Sequence, residues 1–165
     1  RDRYLADLES QMLVVDLATG AVEAVGDRID TAFINWSPKG DAIILRNNTE
    51  DGEVVCRLDL DGTLTEICDG TMPVVLRDGL LLFRNVDDDL WYVCDMAGHG
   101  TSRVGDGLPG HGFPTQGPGS TVIMMEFTDD GPRPVSCDLA TGERTVIVEQ
   151  DGLWVSPVYG AWPRH

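Results

Sequence analysis

The amino-acid sequence predicts an all-β fold assembled from about four repeats. Three observations predict it. The segment Val15-Asp16-Leu17-Ala18-Thr19-Gly20 recurs as Cys137-Asp138-Leu139-Ala140-Thr141-Gly142, with shorter copies at Leu58-Asp59-Leu60-Asp61-Gly62 and Cys94-Asp95-Met96-Ala97-Gly98. The aligned aspartates Asp16, Asp59, Asp95 and Asp138 lie 43, 36 and 43 residues apart, close to the roughly 40–45 residues of one four-stranded propeller blade. No segment sustains a helical apolar period, and 19 glycines and 9 prolines interrupt every run.

Each copy has the same grammar. A short apolar run leads into an Asp and Gly turn, and a second short run follows. The pairs are Met12 to Val15 with Ala21 to Val25, and Val54 to Leu58 with Thr63 to Ile67. They continue with Leu90 to Cys94 and Thr101 to Val104, then Pro134 to Cys137 and Arg144 to Val148. Gly takes a positive φ without a Cβ clash and Asp accepts bonds from its own backbone, so each copy reads as a β-hairpin. In the last three units a strand precedes the hairpin: Ala42 to Arg46, Leu80 to Arg84 and Thr121 to Phe127. Before it lies a Gly-containing turn, Lys39-Gly40, Asp78-Gly79 or Gly117-Pro118-Gly119, and then one more stretch: Ala32 to Trp36, Pro73 to Leu76 and Phe113 to Gln116. Four short strands per unit is the pattern of a β-propeller blade.

The segment Ile34-Asn35-Trp36-Ser37-Pro38-Lys39-Gly40-Asp41-Ala42-Ile43-Ile44-Leu45 resembles the Trp-Ser-Pro-Asp-Gly-Arg start of a WD40-like repeat of the TolB type. The Asp-Leu-x-x-Gly hairpins are similar to that family too. The resemblance spans the chain as repeats, with only the second unit matching well. It implies a propeller and says little of function, because the family spans scaffolds, periplasmic binding proteins and peptidase-associated domains.

The first unit lacks its opening strand. Tyr4-Leu5-Ala6 matches Ile43-Ile44-Leu45, and Ala161-Trp162-Pro163-Arg164-His165 resembles Asn35-Trp36-Ser37-Pro38-Lys39. Joining His165 to Arg1 would place Trp162 seven positions before Tyr4, as Trp36 lies seven before Ile43. The expected fold is therefore a single propeller domain over 1–165, with the C-terminal strand completing the N-terminal blade. Its units run over about 1–31 plus 155–165, 32–72, 73–112 and 113–154. Completing a blade from both termini protects the sheet edges. Closure within one chain, a homodimer sharing blades, and membership of a longer propeller all fit. The chain starts at Arg1 rather than Met, as a processed, trimmed or excised segment would.

Composition narrows the partners. Lys and Arg total 12 against 28 Asp and Glu, a net charge of −16. That field repels a polyanion, so nucleic acid is not an expected partner. The longest apolar runs, such as Met12 to Val15 and Leu80 to Phe83, fall far short of the roughly 20 residues of a membrane span, so no membrane insertion is expected. The four cysteines, Cys56, Cys68, Cys94 and Cys137, include no Cys-x-x-Cys pair and read as small buried hydrophobes. Cys56 and Cys68 flank one hairpin, which leaves a disulfide between them open.

No catalytic constellation stands out. Asp59-Leu60-Asp61-Gly62 with Glu66, and Asp87-Asp88-Asp89, carry the clustered oxygens a hard cation prefers. Both fall at turns of the repeat, and turns are the expectation, with no metal and no cofactor. There is no nucleophile elbow and no phosphate loop. Trp36 and Trp162 occupy equivalent positions and are expected to pack between blades. Trp91, Trp154 and the loop histidines His99 and His111 are the candidate binding residues, with 105–119 the candidate binding loop. The expected function is a non-catalytic binding or scaffold module for a protein or peptide partner. The alternatives are the propeller portion of an enzyme, either a hydrolase or lyase or a peptidase-associated domain, and a structural segment that assembles into a larger ring.

Overall fold

The computed structural model describes residues 10–104, 108, 114–129 and 131–147. Among them there is no helix, and therefore none long and apolar enough to cross a membrane. The chain divides into two compact units, Arg1–Thr101 and Ser102–His165.

The strands fall where the repeat grammar places them. The first hairpin pairs β1 (Ser10–Val15) with β2 (Val22–Ile29). A four-stranded antiparallel sheet follows, in the order β3 (Thr31–Trp36), β4 (Ala42–Thr49), β5 (Gly52–Asp59) and β6 (Leu64–Asp69). The next runs β7 (Thr71–Val75), β8 (Leu81–Arg84), β9 (Trp91–Cys94) and β10 (Ser102–Arg103). The last runs β11 (Thr115–Gln116), β12 (Thr121–Thr128), β13 (Gly131–Asp138) and β14 (Arg144–Val146). Neighbours in sequence are neighbours in the sheet, the meander a propeller blade requires.

The aligned aspartates organise the turns. The Asp16 carboxylate accepts from the Ala18 and Thr19 amides at 2.8 and 3.0 Å, Asp95 from Ala97 and His99 at 2.9 and 2.8 Å, and Asp138 from Ala140 and Thr141 at 2.8 and 3.0 Å. In the second copy Asp59 instead holds Arg57, and Asp61 accepts from Thr63 at 2.9 Å. Asp87 to Asp89 also form a turn: Asn85 accepts from the Asp87 and Asp88 amides, Asp88 accepts from Tyr92, and Asp89 pairs with Arg84.

In the first unit, the second sheet has apolar residues on both faces. Ile43, Leu45, Val54, Cys56 and Leu58 pack with Met12 and Val25 of the first hairpin. Ile44 and Val55 point the other way and pack with Leu81, Phe83 and Cys94 of the third sheet. Alternation along β4 and β5 thus feeds two cores from one sheet. Contacts between sheets are close at glycine. The backbone of Gly26 on β2 approaches Gly62 in the β5–β6 turn, and a Cβ on Gly98, in the β9–β10 turn, would lie 2.4 Å from the Ile67 carbonyl oxygen of β6. In the second unit, β12 and β13 pair in unbroken register from Thr121↔Asp138 to Thr128↔Gly131 and bury Val122, Met124, Val135 and Cys137.

One expectation is corrected, and one alternative that the sequence leaves open is decided. Trp36 does not pack in a core; it is 51% exposed. The cause is a bulge in β3 between Ala32 and Asn35, where Phe33 takes φ 57. One extra residue inverts the alternation, so Ile34 and Trp36 turn outward while Asn35 donates to the Pro73 carbonyl at 2.9 Å. The same irregularity recurs in β7, with Met72 at φ 52. The Cys56–Cys68 disulfide is also absent: both thiols are free, Cys56 lies opposite Glu66 and Cys68 opposite Val55. They face opposite cores of the second sheet. Tyr4 to Ala6, Trp162 and the 155–165 segment lie outside the described residues, so the closing strand does too.

Candidate turn-face cleft

The β3–β4 and β7–β8 turns occupy the same position in successive repeats, so they come to the same end of neighbouring sheets. The first is built around Ser37, which is 5% exposed. Its hydroxyl donates to the Asp41 carboxylate at 2.6 Å and accepts from the Asp41 and Ala42 amides, both at 3.2 Å. This bond, with a smaller contribution from Arg57, holds the Asp41 carboxyl below its ordinary range. Arg57, on β5, reaches Asp41 at 3.6 Å and Asp59 at 2.7 Å, and the Asp59 bond raises its already high pKa. The second turn closes with Gly79 donating to the Leu76 carbonyl at 3.0 Å and Asp78 accepting from Leu80 at 3.1 Å.

Between these turns lies a cleft of about 370 Å³. Ser37, Pro38, Lys39, Asp41 and Arg57 line it from the second sheet, and Arg77, Asp78, Gly79 and Met96 from the third. Lys39, Arg57 and Arg77 bring three cations to it in a chain of net charge −16, with Asp41 and Asp78 beside them and Arg57 held by Asp41 and Asp59. Lys39 is exposed and has no ion-pair partner among the described residues. The cations supply charge-assisted donors, and Pro38 and Met96 supply apolar surface.

The sequence-level candidates fall elsewhere or nearby. His99 sits in the same turn as Met96, highly exposed, with its Nδ1 3.6 Å from the Asp95 carboxylate. Trp91 opens β9 and is only 3% exposed, so its ring belongs to the packing of the third sheet and offers little to a partner. His111, Trp154 and most of the 105–119 loop lie outside the described residues. Among the described residues, no three His, Cys, Asp or Glu side chains converge as a metal site would need. Lys39, Arg57, Arg77 and Met96 were not singled out by sequence. The signal for Lys39 and Arg77 was their place beside equivalent turns, which the repeat brings to one end.

Solved structures share this architecture. TolB from Acinetobacter baumannii superposes with a TM-score of 0.70 at 16% identity, over 88% of this chain and 39% of that one. The fold is that of a TolB-like β-propeller. A chain from a nidogen/laminin complex gives a TM-score of 0.67 at 14% identity, covering 88% of this chain and 60% of that chain. Puromycin hydrolase gives 0.64 at 16% identity, covering 92% and 26%. The chain thus spans less than two thirds of each of these structures. No family model matches the sequence, and no curated protein does.

Proposed function

We propose that this propeller chain is a non-catalytic binding module, and that it takes a protein or peptide segment in the cleft between the β3–β4 and β7–β8 turns. The observation that carries this is a cleft of about 370 Å³ that gathers Lys39, Arg57 and Arg77 beside Pro38 and Met96 on a strongly acidic chain. An acidic protein attracts basic partners at long range, and the exposed Lys39 in the cleft then favours one that also presents a carboxylate. Such a carboxylate would sit against Lys39 and Arg77, with an apolar neighbour against Pro38 and Met96. His99 and the outward Trp36 lie at the same end of their sheets and would extend the contact. Selection from a displayed random-peptide library tests this. Enriched peptides should carry an acidic residue and lose at least tenfold in affinity to a Lys39→Glu, Arg77→Glu double variant. Enrichment of peptides whose binding ignores the double variant would overturn the cleft assignment.

A second reading rests on the likeness to puromycin hydrolase, of which the chain spans 26%. There the propeller would accompany a catalytic domain elsewhere in a larger enzyme, and a parent reading frame encoding one would favour it. The blade number and closure are proposals on the same footing. Four repeat units, with 155–165 completing the first, would close a ring within one chain.

A further inference from the structure

The cleft leaves the cysteines unused, and two of them meet in the core between the second and third sheets. Cys94, on β9, is 1% exposed and belongs to the cluster of Ile44, Val55, Leu81 and Phe83. Cys68, on β6, is partly buried and packs against that same cluster. The two thiols interact, and that interaction raises the Cys68 pKa and lowers that of Cys94. The backbones converge at this place as well, since the Gly98 turn that follows Cys94 abuts the carbonyl of Ile67, the residue before Cys68. The remaining thiols are placed differently. Cys56 faces the opposite core, where burial pushes its pKa up to about 11, and Cys137 lies on β13 of the second unit.

We propose that Cys68 and Cys94 are a disulfide-forming pair that cross-links the second and third sheets when a small-molecule disulfide is present. The pair reacts as its mono-anion: as the sulfur of Cys68, the more accessible, bonds to one sulfur of the incoming disulfide, its proton passes to the Cys94 thiolate and the other small sulfur leaves as a thiolate. The Cys94 sulfur then attacks the Cys68 sulfur, the mixed disulfide breaks, and the second small thiol leaves with the Cys94 proton. Both cysteines are oxidised, and the incoming disulfide is reduced to one thiolate and one thiol. The bond closes a loop of about 27 residues and restricts the unfolded chain. It also joins the two sheets that border the cleft.

The test is incubation of the folded chain with oxidised glutathione, then alkylation under denaturing conditions and peptide mass mapping. The expected product has two alkylated cysteines, Cys56 and Cys137, and one linked peptide joining Cys68 to Cys94. The linked form should melt roughly 10 °C higher than the reduced one, reversibly with dithiothreitol. In Cys94→Ser the reaction should stop at a glutathione adduct on Cys68. The C56A, C137A double variant should still form the link and guards against a folding defect in the serine variant. Four alkylated cysteines after oxidation, a Cys68 adduct that persists in the unsubstituted chain, or a link through Cys56 would each overturn the assignment.

Discussion

Replacing Gly98 by alanine tests the packing of the β9–β10 turn on β6. Two effects add at this position. Gly98 has φ +82, where an L side chain is strained by about 1 kcal/mol. The new Cβ would also lie 2.4 Å from the Ile67 carbonyl oxygen. Backbone must move to relieve that contact, and overpacking of this kind costs roughly 1–3 kcal/mol. The sum is about 2–4 kcal/mol. Gly20 is the matched control: it ends the equivalent turn of the first hairpin at φ +73, and a Cβ placed there would meet nothing within 4 Å. Gly20→Ala should therefore cost only about 1 kcal/mol. For a chain of this size 1 kcal/mol moves Tm by roughly 2–4 °C. Thermal unfolding followed by circular dichroism should show Gly98→Ala losing two to four times as much Tm as Gly20→Ala. Equal losses in the two variants would refute the close approach of the turn to β6.

Further outcomes follow from the same geometry. Ser37→Ala removes the hydroxyl that bridges Asp41 and two amides, and should cost about 1–3 kcal/mol in urea denaturation while also weakening peptide binding through a loosened turn. Backbone amides depress the Asp16, Asp95 and Asp138 pKa values, and amides and Ser37 do so for Asp61 and Asp41 respectively. A depressed folded pKa means stability that is present above the unfolded value of about 3.9 and lost as pH falls through the folded values. Tm should therefore drop steeply below about pH 4, and Asp16→Asn with Asp138→Asn should flatten that drop. Light scattering should give a mass near 18 kDa if the ring closes within one chain; twice that mass would mean blades shared between two chains.

The fold was legible because two signals agreed. The Asp and Gly turns recur at nearly constant spacing, and the runs between them are short and apolar. Both survive in the structure because turn chemistry and pleat periodicity are local. The bulge in β3 was not legible. Nothing in Ala32-Phe33-Ile34 signals a positive φ, since Phe is a poor residue for it, and the tertiary bond from Asn35 to Pro73 accompanies it. The orientation of Trp36 went with the bulge. Cys56 and Cys68 misled for a related reason: symmetry about a hairpin says nothing of which face a side chain takes once β5 and β6 shift register between Val55 and Cys56. The cleft was half-legible. Its turns were visible as turns, but the convergence of Lys39, Arg57 and Arg77 depends on how successive sheets stack, and no local pattern encodes that.

The most direct test of the binding account is to map a selected peptide onto the labelled chain by amide chemical shifts. The account predicts the largest changes at Lys39, Gly40, Asp41, Arg57, Asp78, Gly79 and Met96, with smaller ones at His99. Changes centred instead on the opposite ends of these strands, around Asp51 and Asp88, would contradict it.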